Sequence, residues 1–340
     1  MKCNTVGLVD QMSHEEWLSQ RTKGIGGSDA GVILGVSNWN TPFALWADKR
    51  GMVQNEFEGN AATALGSAME FPILEQYAKD SGQAVVVWKA MVKSEERYWQ
   101  LANFDAFIVE PSVMFLGGEV SVWEGDEFPT DPLAIVEVKT AGLTGRTNKA
   151  AWFSERGCPE NYYWQMVHYC AVTGLRSSVM VALVGGEGLL VREYEIPEED
   201  VTYLNEQEAE FWSCVEDGIE PKLTGENADM DTLKSLYPTH EDGKVAAITE
   251  FEADIVNEYI EAKVKVDEAE AKLNQVKAEL MRIIGDAESV EFEGRTLLTY
   301  KATKASETFD AKAFKEANPD LYKQFTKPKA GYRVLRLKGE

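Results

Sequence analysis

The sequence predicts a mixed α/β sandwich with a helical appendage at the C-terminal end. The order of apolar patterns along the chain is helices, strands, helix, strands, helix. Beyond residue 245 the apolar period changes to 3.5, the spacing of a coiled coil. The length, 340 residues, exceeds the usual size of one domain.

Residues 14–22 read as a short helix burying Trp17 and Leu18. The loop Gly24-Ile25-Gly26-Gly27-Ser28-Asp29 feeds an apolar stretch from Ala30 to Leu34, with Ser28 placed to cap that helix. Thr41 to Arg50 forms another helix with Pro42 in its first turn. Asn60 to Asp80 is longer, with Leu65, Met69, Ile73 and Tyr77 at helical spacing. Strands follow at Ala84 to Val92 and Trp99 to Val109. The acidic, Gly- and Pro-bearing segment 110–132 reads as an inserted loop or hairpin, and Leu133 to Lys139 as a short strand. Asn161 to Thr173 is helical and stops at Gly174. Ser178 to Val184 and Leu189 to Ile196 pair across Gly185-Gly186-Glu187-Gly188. An acidic helix runs from Pro197 to Asp217.

Residues 218–245 hold Pro, Gly, Asn and Asp and read as a linker. This divides the chain into a core over 1–217, a linker over 218–245, and a C-terminal part over 246–340. In that part Tyr259, Val266, Leu273 and Leu280 interlock with Ala262, Ala269, Val276 and Ile283 over about four heptads. Two strands, Ser289 to Phe292 and Thr296 to Lys301, and a helix near 311–317 complete it.

Composition excludes several classes. The chain is 44% hydrophobic and 27% charged, which rules out a disordered or collagen-like chain. No segment has the ~18–20 apolar residues of a membrane span, and Met1 to Met12 lack the apolar core of a secretory signal. Cys3, Cys158, Cys170 and Cys214 are scattered and form no Cys-x-x-Cys, so free thiols in a cytoplasm are expected. Three histidines, His14, His168 and His240, are too few for a histidine-rich metal centre, so metal chemistry would fall to carboxylates and hard cations.

Asp105 lies near the end of one strand. Glu137 and Lys139 are two apart on another and project from the same face. Two carboxylates on adjacent strands can hold a divalent cation, and a lysine beside them can orient a water or help deprotonate it. This suits metal-assisted phosphodiester hydrolysis. Gln165 and Tyr169 share a helix face, and Glu70 on the long helix can add a third acid. The glycine loop at 24–27 lacks the Gly-Lys-Ser/Thr ending of a nucleotide phosphate loop. His168 is expected to be packed or at the surface. Trp88, Trp99, Trp152 and Trp164 are expected in the core.

Arg21, the loop Gly24 to Asp29, Leu45-Trp46, Gly66 with Glu70, Ala102-Asn103-Phe104-Asp105, Glu137-Val138-Lys139 and Gln165 with Tyr169 occur in one order over residues 14–217. In that order they resemble the YqaJ viral recombinase family, phage alkaline exonucleases of the lambda exonuclease type within the PD-(D/E)XK nuclease superfamily. The C-terminal third resembles the tail of phage members more loosely. The resemblance implies a restriction-endonuclease-like core. It also implies an enzyme that degrades one strand of duplex DNA from a 5′ end and leaves a 3′ overhang for recombination.

Carried over, the resemblance makes Asp105, Glu137, Glu70 and the Val138 carbonyl metal ligands, for two magnesium ions with manganese as a substitute. Lys139 would act on the attacking water, and Gln165 and Tyr169 would position it or the scissile phosphate. Arg21, Ser28 and Asn103 would hold the 5′-terminal phosphate or nearby DNA. The implied partners are double-stranded DNA ends, a single-strand annealing protein and further copies of the chain in a ring. The implied location is the bacterial cytoplasm. An endonuclease of the same superfamily, or an inactive DNA-end-binding module, are the other readings. An iron–sulfur nuclease would need clustered cysteines. Thirty-one residues separate Asp105 from Glu137, many of them in the acidic 110–132 insertion, which could cover the site, crowd it or point away.

The net charge of −23, taken as a whole-chain sum, argues against a DNA-binding protein. Its distribution reverses that. Residues 195–231 hold 13 acids and one base, whereas 294–340 hold 11 bases and 5 acids. Acids gathered at a metal site also do not oppose DNA, because the metal inverts the local field.

Overall fold

Short Val-rich strands whose side chains alternate between two faces set the architecture. The computed structural model describes residues 1–53, 60–142, 150–185, 188–328 and 331–337. The chain divides into two units, Met1–Tyr237 and Pro238–Glu340.

The first unit begins with β1 (Cys3–Leu8), a strand without a periodic signal in the sequence. Four helices follow: α1 (His14–Arg21), α2 (Gly27–Ile33), α3 (Pro42–Lys49) and α4 (Ala61–Ser81). Ser13 caps α1 in a reciprocal box with Glu16, Thr41 caps α3, and Asn60 caps α4. Then come β2 (Ala84–Val87), β3 (Ala90–Ser94), β4 (Leu101–Asn103), β5 (Ala106–Val109), β6 (Val120–Val122) and β7 (Ala134–Ala141). The helix α5 (Glu160–Thr173) connects β7 to the parallel strand β8 (Ser177–Val184). The antiparallel β9 (Leu189–Glu195), α6 (Glu198–Asp217) and α7 (Asn227–Leu236) end the unit. Of the hairpin turn expected at 185–188, residues 186 and 187 lie outside the described residues.

The main sheet is mixed, in the order β6-β2-β5-β7-β8-β9, and β1-β3-β4 form a second, antiparallel sheet. The runs expected as single strands at 84–92 and 99–109 are therefore each broken. The chain passes from one sheet to the other at Trp88-Lys89 and again at Phe104-Asp105, a change that a period of two cannot show. The 110–132 insertion contributes β6, which pairs with β2. Its Phe128 packs on Trp88 and Phe107, and its acids lie exposed.

Alternation on β7 decides where the chemistry lies. Ala134, Val136 and Val138 join Ile73, Leu74, Tyr77 and Ala78 of α4 in one apolar cluster. Ile135 joins Tyr163, Met166, Val167 and Cys170 of α5 in another. Glu137 and Lys139 share the phase of Ile135 and so lie on the α5 face. Leu65, expected on the buried stripe of α4, is exposed, because that stripe begins only in the second half of the helix. Trp17 and Leu18 are half-buried rather than core. Trp88, Trp99 and Trp152 are core, while Trp164 is half-buried against Tyr163 and Tyr203.

The stretch 218–245 is not linker throughout. The buried Asp229 of α7 accepts from the Thr41 hydroxyl at the start of α3, and from Thr224 N (2.6 Å) and Gly225 N (2.9 Å). A buried carboxylate satisfied this fully fixes its helix, and the unit ends at Tyr237.

The second unit contains α8 (Glu250–Ile284), the hairpin β10 (Ser289–Phe292) and β11 (Arg295–Thr299), α9 (Ala311–Ala317) and α10 (Pro319–Phe325). Glu293 (φ 50°) and Gly294 (φ 75°) make the tight turn of the hairpin. No helix among the described residues is long and apolar enough to cross a membrane.

Candidate active site

Asp105 sits in the break between β4 and β5, and its Oδ2 accepts from the Val138 N–H (2.7 Å), which ties it to β7. Glu137 is almost fully buried, and Lys139 donates to its Oε1. From α5, Gln165 Nε2 donates to the same Oε1 (2.8 Å) and to the Tyr169 hydroxyl (2.8 Å). The structure thus brings together Asp105, Glu137, Val138, Lys139, Gln165 and Tyr169. Gly27 makes this close packing possible: a Cβ there would stand 2.5 Å from the Tyr169 ring and 3.1 Å from Gln165. The glycine loop serves approach of α2 to α5 rather than a nucleotide cradle.

Burial first, and the Asp105 charge second, push the Glu137 carboxyl up to about 8. Burial also raises Asp105, against the pull of Lys139 and the Val138 N–H. Burial works against the charge on Lys139, but Glu137 and Asp105 outweigh it and hold the ammonium well above its ordinary range. Tyr169 is raised by burial and by the same two acids, so it stays a neutral hydroxyl. Two acids that resist ionising together, beside a lysine that cannot neutralise both, make an electrostatic pattern that a divalent cation would relieve.

The donor set fits a hard divalent cation. Glu137 Oε2 is buried without a hydrogen-bond partner among the described residues, while Oε1 carries Lys139 and Gln165. A carboxylate oxygen with no hydrogen bond, beside a second carboxylate, is a donor pair that suits such an ion. Glu70 reaches toward the pair from α4, on the other side of the sheet. Burial and then the Asp105 charge raise it. Among the described residues, however, no three His, Cys, Asp or Glu side chains close on one point, so Glu70 does not complete a cage with Asp105 and Glu137.

Beside these groups lies a cavity of about 190 Å³, walled by Trp17, Arg21, Ser28, Asn103, Gln165 and Tyr169. Arg21 stacks over Trp17 (4.9 Å) and donates to Ser28 Oγ (3.2 Å). Asn103 Nδ2 donates to the Ala90 carbonyl (3.4 Å). Ser28 is not the N-cap of α2. Gly26 holds that position, and Asp29 Oδ2 accepts from its N–H (2.9 Å), because a carboxylate at the third helical position reaches back to the orphan donor. A larger cavity of about 420 Å³, walled by Lys2, Arg97 and Arg176 among others, lies elsewhere and holds none of these residues.

Sequence reasoning missed Trp17 as a wall of the cavity, and it missed Asp29 and Lys49. Lys49 ends the apolar α3, yet its side chain is 2% exposed and its Nζ lies 2.7 Å from Asp29 Oδ2. A lysine at helical spacing from the apolar Leu45 and Trp46 was the available signal. His168 is fully buried. Its Nδ1 meets Glu208 Oε1 (2.7 Å) and its Nε2 the Leu101 carbonyl (2.8 Å), which joins α5 to α6 and β4.

Residues 16–176 match the YqaJ-like viral recombinase domain. The chain is 32% identical over 320 residues to the uncharacterized protein YqaJ of Bacillus subtilis (strain 168), covering 93% of this chain and 92% of that one. Among solved structures it resembles the alkaline exonuclease LHK-Exo from Laribacter hongkongensis at 17% identity and a TM-score of 0.44, over 61% of this chain and 94% of that one. LHK-Exo in complex with dAMP gives 16% and 0.43 over the same shares. The near full-length identity to YqaJ decides the matter: the chain belongs to the YqaJ family.

Proposed function

We propose that this chain is a magnesium-dependent 5′→3′ exonuclease with a PD-(D/E)XK core. It degrades one strand of linear duplex DNA and leaves 3′ single-stranded overhangs for phage homologous recombination. The observation that carries the reading is the buried Asp105–Glu137–Lys139 cluster with its unpartnered Glu137 Oε2. The name of the matched domain, a viral recombinase, agrees with it.

Asp105, Glu137 and the Val138 carbonyl would hold the ions; the family resemblance adds Glu70, although it does not close on the pair among the described residues; manganese would substitute. When bound, the metal polarises the phosphate and makes hydroxide available at neutral pH. Lys139 remains an ammonium, so it serves as a hydrogen-bond donor to the water and to the developing charge rather than as a base. Gln165, locked between Glu137 and Tyr169, orients the water or the scissile phosphate. Arg21, with Ser28 and Asn103, receives the 5′-terminal phosphate in the cavity beside them. A ring of several copies, an annealing protein as partner, and action in the bacterial cytoplasm go with this reading.

Linear duplex labelled at its 5′ or its 3′ ends, and closed circular plasmid, separate this reading from an endonuclease or an inactive end-binding module. The expected result is magnesium-dependent early release of the 5′ label alone, with circles intact. Cutting of circles would favour an endonuclease. End binding without release would favour the inactive module.

A further inference from the structure

Arg21 faces the cavity next to a buried acid. Asp29 is 6% exposed, and its Oδ1 lies 3.9 Å from an Arg21 guanidinium nitrogen. An acid that close to the only cation on the cavity wall among the described residues would ordinarily claim its fork and cancel its charge, which leaves nothing for an anion. Lys49 changes the balance. Its ammonium comes from the far side at 2.7 Å from Asp29 Oδ2, and also donates to the Arg21 main-chain carbonyl (2.9 Å). The second Asp29 contact on that oxygen is the Gly26 N–H at 2.9 Å. Asp29 Oδ2 is thus held from behind, which leaves Oδ1 at ion-pair but not hydrogen-bond distance from Arg21. Arg21 is pinned at its backbone with its guanidinium turned to Ser28 and Trp17.

We infer that Lys49 and Asp29 are positioning residues that leave one uncompensated positive charge on Arg21, and so set the preference of the cavity for a phosphorylated DNA end. Neither lines the cavity, so neither touches the ligand. The inference rests on the end-phosphate reading above and adds what makes that cavity selective.

The electrostatics run the same way. Burial works to raise the Asp29 carboxyl, but Lys49, Arg21 and the Gly26 N–H outweigh it and hold the group below the ordinary range, hence ionised. Asp48 is also near these charges. It is half-buried and raised, chiefly by burial, and it stays constant in the variants below.

Charge counting gives the test. Lys49→Met removes the compensating charge and frees Asp29 to take Arg21. Asp29→Asn with Lys49→Met removes both charges at nearly constant volume, which restores the sum and leaves no buried ion unpaired. The readout is the ratio of release rates from linear duplexes with 5′-phosphate and 5′-hydroxyl ends, measured with magnesium on the full chain. We expect Lys49→Met to lower that ratio about tenfold, the scale of one charge-assisted contact, and the double variant to return it to within about twofold of wild type. A residue that merely supports the fold would change both rates together and leave the ratio alone.

An unchanged ratio in Lys49→Met, or a double variant as low as the single, overturns the inference. If Lys49→Met does not fold, the double variant decides alone: a wild-type ratio supports the inference and a ratio near one overturns it. A wild-type chain that releases nucleotide without preferring the phosphate removes the end-phosphate reading and this inference together. A wild-type preference that Lys49→Met leaves intact removes the inference alone.

Discussion

Helices α5 and α8 are opposites. α5 buries nine of its fourteen residues, whereas α8 buries one of thirty-five. Polar side chains inside α5 are pinned: Gln165 by Glu137 and Tyr169, His168 by Glu208 and Leu101. The apolar heptad of α8 lies open, with Val266 at 55% and Leu273 at 65% exposure. The difference teaches where precision comes from. A helix surrounded by partners holds a reacting group to within tenths of an ångström. A helix with a good pattern but no cover among the described residues only shows that it can form.

If the pinned side of this comparison is right, the largest effect belongs to Glu137. Glu137→Gln should cut nucleotide release on the order of a thousandfold, and should abolish the rise in melting temperature that the proposed magnesium site is expected to give the wild type. Loss of release with the magnesium shift intact would move the metal elsewhere. Next in size is the buried pair behind α5. Glu208→Ala leaves His168 buried without its counter-charge and should cost about 3–5 kcal/mol in urea unfolding; a cost under about 1 kcal/mol would show that the pair does not brace the helix.

A pH series sharpens the same contrast. Glu137 titrates near its ordinary 4.5 in the unfolded chain and at about 8 in the folded, metal-free one. Between those values the unfolded form is ionised and the folded form is not, so this group lowers stability as pH rises from about 4.5 to about 8. Glu137→Gln should remove that slope, read as melting temperature against pH in a chelator. Magnesium, which needs the ionised carboxylate, should shift the wild-type melting temperature more at pH 8 than at pH 6. The smallest effect is expected on the open side: Leu273→Gln should change the stability of the first unit by no more than about 0.5 kcal/mol. A larger loss would mean that the α8 stripe is covered in solution.

The same contrast explains how much was legible in the sequence. The order of elements, and the shared face of Glu137 and Lys139, follow from periods of 3.6 and 2, because those periods are local. The hidden features all depend on contacts between distant segments. The breaks after Val87 and at Asp105 arise from a change of sheet. The docking of α7 depends on Thr41 meeting Asp229, 188 residues away. The role of Lys49 appears only when α3 is laid against the loop that carries Asp29. The sequence excludes a nucleotide phosphate loop at Gly27 but does not show that the glycine leaves space for the Tyr169 ring. The insertion at 110–132 was ambiguous in sequence because acids are equally at home covering a site or facing water.

The central claim, that the Asp105–Glu137–Lys139 cluster cleaves DNA, is tested most directly with Lys139→Ala. Nucleotide release from linear duplex and binding to the same duplex are measured side by side in magnesium. The account predicts release reduced at least a hundredfold with binding within about threefold of wild type. Release that continues at the wild-type rate would contradict it.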